Sequence, residues 1–234
     1  VAAGHVPDDP PLASQPTVSR LENSVTRRDL IRLFYVFVDH FLASYAKAPE
    51  SIVIDMDPTP NRVYGDQQLA FFNAHYDAYC LMPFHVYEGL TGRLIATVIR
   101  PGKTPTKEEI LALLRRIVRR IRKRFPGTFL IFRADSHHTK PEVLDWLEAN
   151  GVHYVLGLAT NSVLQREVQP LLDRAARVHR EQWSPCRRFH SFTYAAGSWT
   201  RTRRVVARLE ATALGTDARF VVTDLEDAGA QVLY

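Results

Sequence analysis

Asp55 and Asp57 close the apolar run Ser51-Ile-Val-Ile-Asp55-Met-Asp57-Pro-Thr59, and Asp135 closes a second, Thr128-Phe-Leu-Ile-Phe-Arg-Ala-Asp135-Ser136. β-Branched and aromatic residues this concentrated favour strands. Side chains two apart in a strand point to one face, so Asp55 and Asp57 share a side and can meet Asp135 if the two strands are neighbours. Carboxylates gathered at strand tips suit a hard divalent cation such as Mg²⁺ or Mn²⁺. Two such ions can activate an attacking oxygen and stabilise a leaving one in phosphodiester chemistry. The same residues also fit a blander reading, in which Asp57-Pro-Thr-Pro-Asn61 is a turn with aspartate as its cap.

His137 and His138 follow Asp135 after Ser136. Adjacent residues seldom ligate one ion together, so Ser136 and His137 are expected in supporting roles, binding phosphate or orienting Asp135. Asn73, Tyr76 and Tyr79 lie in an aromatic stretch and are expected to pack rather than stack on bases. Cys80 and Cys186 make neither a disulfide framework nor a zinc quartet, and a reducing cytoplasm is the expected setting.

The elements that must position these residues are legible in outline. Residues 1 to about 25 are rich in Pro, Ser and Asp and read as irregular. From Arg27 to Tyr45, Leu30, Leu33, Phe34, Phe37, Val38 and Phe41 recur at helical spacing behind Thr26 as N-cap. Strands are expected over Ile52 to Ile54, Met82 to Glu88 and Arg93 to Arg100, the last two forming a hairpin around Gly89 to Gly92. Thr106-Lys-Glu-Glu109 is a capping box opening a helix that buries Ile110, Leu113, Leu114, Ile117, Ile121 and Phe125. Strand Phe129 to Phe132, helix Pro141 to Asn150 and strand Tyr154 to Leu158 follow. Beyond Asn161 a helix interrupted at Pro170 gives way to β-like runs over Phe189 to Tyr194, Arg204 to Glu210 and Arg219 to Thr223. The order β-β-β-α-β-α-β predicts an α/β fold with an RNase H-like mixed sheet, a three-strand antiparallel meander plus crossover strands. The expected division is an N-terminal irregular and helical segment over 1–48, a core over 49–160 and a partial β-rich insertion over 161–234.

The 234 residues carry a net charge of +5 with pI ≈ 9.4, and 46% of them are hydrophobic. That content excludes a disordered chain, and no apolar run approaches the ~20 residues of a membrane span. The chain starts at Val1 without signal-peptide features and without Met, and is expected to be a fragment. Basic residues cluster at Arg115, Arg116, Arg119, Arg120, Arg122, Lys123 and Arg124, and again at Arg201, Arg203 and Arg204. Such clusters point to a polyanion partner. The helical cluster fits equally a solvated outer face that only keeps the domain in solution.

Several segments in order resemble DDE transposases of bacterial insertion sequences (group 1). They are Gln15-Pro-Thr-Val-Ser-Arg-Leu-Glu-Asn23, Ile54-Asp-Met-Asp-Pro-Thr59 with Gly65-Asp-Gln67, Tyr79-Cys-Leu-Met-Pro-Phe84, Val98-Ile-Arg-Pro-Gly102, Arg133-Ala-Asp-Ser136, Tyr154-Val-Leu-Gly-Leu158 and Arg219-Phe-Val-Val-Thr223. The resemblance runs from about Leu12 to Tyr234. It implies an RNase H-like fold and cleavage and strand transfer of DNA at terminal inverted repeats, with two Mg²⁺ or Mn²⁺ ions. It also implies target DNA and a homodimer in a synaptic complex as partners, and a nucleoid-associated place in a bacterial cytoplasm, with no membrane. Carried over residue by residue, the second family acid falls on Asp135 and the first within Asp55-Met-Asp57. The Asp57-to-Gly65 interval resembles the spacing of piggyBac-like transposases and favours Asp57, with Asp55 beside it.

The family's third acid is a glutamate on a helix after the insertion, in a Tyr…Arg…Glu…Lys pattern. The sequence reaches Tyr234 where that helix would begin, so the resemblance implies a chain truncated before the last acid and inactive alone. Glu210 and Glu226 lie in or just after the insertion, outside the expected place. Two alternatives compete: a catalytically dead DNA-binding remnant, and a haloacid dehalogenase-like phosphatase. The latter would use the D-x-D-x-T match Asp55-Met-Asp57-Pro-Thr59, with Asp55 as nucleophile and Asp57 as general acid/base. It needs a helix after the motif, where the sequence offers a loop and a hairpin.

Overall fold

The computed structural model describes residues 13–233. The segment expected to be irregular up to about residue 25 contains helix α1, Gln15–Asn23, whose proline sits in the first turn where a missing N–H costs no hydrogen bond. Residues 1–12 of that expectation lie outside the described residues. Helix α2, Arg27–Ala43, starts at a capping box between Thr26 and Asp29 and buries Phe34, Val38, Phe41 and Leu42. Leu30 and Leu33, expected on the buried face, stay exposed because the apolar stripe is wider than the surface it packs against. They line an open apolar groove with Ile99 and Leu113.

An eight-stranded mixed sheet organises the chain. Its third strand is β1, Ser51–Pro58, paired antiparallel with β5, Phe84–Glu88, which pairs antiparallel with the edge strand β6, Leu94–Val98. On its other side β1 runs parallel to β7, Phe129–Ala134, and β7 parallel to β8, His153–Leu158. Helix α3, Lys107–Arg124, and helix α4, Pro141–Ala149, supply the crossovers that parallel neighbours require. An antiparallel meander joined to two parallel crossover strands is the RNase H-like arrangement. Between β1 and β5, where the sequence suggested a long loop, a small second sheet forms. It is built from β2, Asn61–Arg62, β3, Phe71–Asn73, and β4, Ala78–Leu81. No helix follows Asp57, so the phosphatase reading loses the element it needs.

Helix α5, Ser162–Gln182, is continuous through Pro170, contrary to the expected interruption. The missing N–H removes one helical hydrogen bond, and burial of Leu164, Val168, Leu172 and Ala175 on the sheet offsets it. Strands β9, Cys186–Tyr194, β10, Arg203–Thr212, and β11, Gly215–Thr223, extend the same sheet through an antiparallel β11–β8 pairing. Residues 161–223 thus continue the sheet of the core. Cys80 and Cys186 are buried free thiols.

One hydrophobic core joins α2, α3, α4 and α5 to a single face of the sheet. That face carries Ile52, Ile54 and Met56 from β1, Leu130 and Phe132 from β7, and Val205 and Ala207 from β10. The intervening residues, including Asp55 and Asp57, therefore point to the opposite face. No described helix is long and apolar enough to cross a membrane.

Candidate active site

The parallel register pairs Ile54 with Phe132, Asp55 with Arg133 and Met56 with Ala134. Carried one residue further, it sets Asp57 beside Asp135, whose backbone is still extended. In-register neighbours on parallel strands present their side chains to one face, with strands ~4.8 Å apart. The same register explains the partner of Asp55. Arg133 donates through Nε to Asp55 Oδ1 at 2.6 Å and through a second nitrogen to Oδ2, a bidentate pair. Asp55 is thereby engaged, whereas no bond of that kind holds Asp57.

On the other side of β1, Asp57 stands opposite His85, and His85 opposite Thr97. His85 Nδ1 and Thr97 Oγ1 lie 3.0 Å apart, which fixes the ring. A row of Thr97, His85, Asp57 and Asp135 thus crosses four elements. Sequence reasoning did not single out His85. The available signal was its place in Phe84-His-Val-Tyr-Glu88, where alternation puts it on the face of the aspartates.

Asp135 caps the short 3₁₀ turn Ser136–His138. It accepts from the backbone N–H of His137 at 3.0 Å, and its two oxygens lie 2.8 Å from Nδ1 of His137 and of His138. A carboxylate only accepts, so both rings donate from Nδ1. His138 is fully buried between Phe84 and Phe132, while His137 stays near the surface. The turn itself has a tight seat, because a Cβ at Gly157 would fall 2.9 Å from the backbone nitrogen of Ser136.

The two aspartates differ electrostatically. Burial pushes the Asp135 carboxyl up, but hydrogen bonds from His138 and His137 outweigh it and hold the group down at about 2. Asp57 moves the other way, raised by burial and then by the negative charge of Asp135. Two hard oxygen donors, one raised by the negative charge of the other, fit a divalent cation that would relieve the repulsion. They make a partial donor set: among the described residues no group of three or more His, Cys, Asp and Glu side chains is gathered to hold a metal ion. Glu210 is committed to Arg187 and Arg208 in the outer strands.

The basic clusters divide according to the partners their side chains find. Arg203 is buried, donating from Nε to Glu148 at 2.8 Å and from Nη2 to Asp145 at 2.5 Å. Arg201 pairs with the same Glu148. Arg204 bonds Ser191 Oγ at 2.9 Å and the carbonyls of Leu225, Glu226 and Ala228. Arg203 and Arg204, expected to face DNA, are thus engaged within the protein, the first on Glu148 and Asp145 and the second on the 225–228 segment. Arg120 is likewise clamped on Asp39 at 2.6 and 2.5 Å, and Arg116 bonds the Ala112 carbonyl at 2.6 Å. Arg115, Arg119 and Lys123 project from the outer face of α3. The last turns of α3 lie at the end of the sheet where β1, β7 and β8 begin. Arg122 there bonds the carbonyls of Thr128 and Gly151, and Phe129 bonds Glu50. Asp57 and Asp135 stand at the opposite end.

A family model described as Transposase DDE domain group 1 matches residues 1–234. No curated protein matches the chain significantly. Among solved structures it is similar to a piggyBac transposase in a synaptic complex with hairpin DNA, at 14% identity and a TM-score of 0.49, over 92% of this chain and 40% of that one. The chain spans less than half the length of that structure.

Proposed function

Since the chain belongs to the transposase DDE domain group 1 family, we propose that it supplies two carboxylates of a DDE-type transposase site and part of the DNA-binding surface. The observation that carries this reading is the parallel register of β1 and β7, which, carried one residue past Met56 and Ala134, sets Asp57 beside Asp135. In this reading Asp57 and Asp135 are the metal ligands. Asp55, bound by Arg133, is a positioning residue that keeps the guanidinium beside the site. His137 and His138 orient Asp135 and keep it ionised, Ser136 forms the turn that seats it, and His85 lines the approach to Asp57. Bound divalent cations, two Mg²⁺ or Mn²⁺ in the complete site, supply activation of the attacking oxygen and stabilisation of the leaving one.

The proposed partners are terminal inverted repeats and target DNA, held by two copies in a synaptic complex, in the nucleoid of a bacterial cytoplasm. Residues 49–160 act as the catalytic core and 161–234 as part of an insertion. Arg115, Arg119 and Lys123 bind phosphates without regard to sequence.

Among the described residues Asp57 and Asp135 are the carboxylates that meet at the site, and this set alone is expected to bind a cation without turning over DNA. A strand-cleavage assay on inverted-repeat DNA with Mn²⁺, run beside a gel-shift assay, tests it. Binding without cleavage is expected. No DNA binding at low salt would overturn the reading. Robust cleavage abolished by Asp135→Asn would show that a third acid lies within the chain.

A further inference from the structure

We propose that the small β2–β4–β3 sheet is a stacking platform for unpaired nucleobases of the DNA strand held at Asp57 and Asp135; this rests on the functional reading above. The sequence suggested that these aromatic residues pack. Instead Phe72 and Tyr79, cross-strand partners with ring centroids 5.6 Å apart at 65°, are 53% and 60% exposed. Tyr64 nearby is 87% exposed. Leaving large aromatic surface in water is costly unless something covers it.

The platform is rigid and close to the paired acids. Its back is pinned to the bend that follows β6: Gly102 donates to the Leu69 carbonyl at 3.3 Å, and Asn73 Nδ2 to the Gly102 carbonyl at 3.2 Å. A Cβ at Gly102 would fall 2.1 Å from the Cys80 carbonyl oxygen, so only glycine allows this approach. Its base is tied by the Thr59 N–H to Pro83 carbonyl bond of 3.2 Å. Three residues separate Asp57 from Asn61 at the start of β2, at most ~14 Å of chain. The cations lie on the reverse side of this small sheet: Lys103 Nζ sits 4.0 Å over Phe71, which alternates to the face away from Phe72, and Arg62, paired with Cys80, shares that side.

Exposed aromatic faces next to a phosphate-handling site have the chemistry of single-strand recognition. Every base has a π-face to stack on them. Duplex DNA hides those faces, so the platform selects unpaired nucleotides.

The test is fluorescence anisotropy of the chain with a labelled single-stranded oligonucleotide and with the duplex of the same sequence. Phe72→Ala and Tyr79→Ala are each expected to weaken single-strand binding about tenfold. Duplex binding should change less than about twofold, and Tyr79→Phe should retain wild-type affinity. Circular dichroism melts check that the exposed-site variants stay folded. Single-strand affinity unchanged by the alanine variants, or weakened in step with duplex affinity, would overturn the inference. So would wild-type binding of duplex but not single strands, which leaves the functional reading standing. Binding of neither would overturn both. A change of sedimentation in the variants with DNA binding intact would make the patch a protein interface and sink the proposal.

Discussion

Arg133 is what distinguishes Asp55 from Asp57, and it makes the assignment testable. Asp55→Asn removes one partner of a surface-facing pair, which is worth no more than about 1 kcal/mol, and should leave cation binding nearly intact. Asp57→Asn and Asp135→Asn should each abolish it, as read by terbium luminescence or Mn²⁺ titration. Equal loss in all three variants would mean that Asp55 is a ligand. A second residue-scale expectation concerns Glu148. Burial raises its carboxyl, but Arg203, Arg201 and Tyr154 hold it down at about 2 against an ordinary 4.5. A carboxylate depressed on folding stabilises above its unfolded value, and that stability is lost as pH falls toward its folded one. Melting temperature should therefore drop between about pH 5 and 2, more steeply than in Glu148→Gln. The variant should cost about 3 kcal/mol at neutral pH, because it leaves Arg203 buried with one partner fewer. Parallel pH profiles would show the network to be dispensable.

Among the elements, α3 carries two jobs on two faces. Arg115, Arg119 and Lys123 point outward, whereas Arg120 locks α3 to α2 through Asp39. Changing the first three to Gln should weaken DNA binding and flatten the log K against log salt slope by about 0.9 for each phosphate no longer neutralised. Arg120→Gln should lower the melting temperature and alter the slope less, and an unchanged slope in the triple variant would make the outer face merely solvated. In α5, Pro170→Ala restores a helical hydrogen bond and should raise stability, by up to ~3 kcal/mol; a lower melting temperature would show that the ring's packing matters more. These elements also mark what the sequence made legible. The runs at Ile52 to Ile54 and Phe129 to Phe132 read as strands because β-branched and aromatic residues are concentrated there, and both capping boxes stand where Thr26 and Thr106 suggested. Less legible were features set by tertiary packing. Pro170 reads locally as a breaker, and the small sheet rests on short strands with no alternation to find. Arg203 looks like any surface arginine until Asp145 and Glu148 approach it from α4.

At the scale of the molecule, all the packed helices lie on one face of the sheet and the paired aspartates on the other. The exposed end of α3 lies at the far end of the sheet from Asp57. Lys123 lies ~24 Å along α3 from its start and on the other face of the sheet, so one DNA segment touching both it and Asp57 must pass around the body over at least about seven base pairs at 3.4 Å each. The α3 variants should accordingly weaken binding of long duplexes and spare duplexes shorter than that, and equal weakening at all lengths would contradict this path. The central claim is that Asp57 and Asp135 together hold a divalent cation. The most direct test is a crystal of the chain grown with Mn²⁺ and measured for anomalous scattering at the manganese edge. The account predicts one peak bridged by the Asp57 and Asp135 carboxylates, at oxygen distances near the ~2.0–2.1 Å of Mg²⁺, with Arg133 still on Asp55. A peak on Asp55 with Arg133 displaced, or Mn²⁺ bound elsewhere with the two aspartates apart, would contradict it.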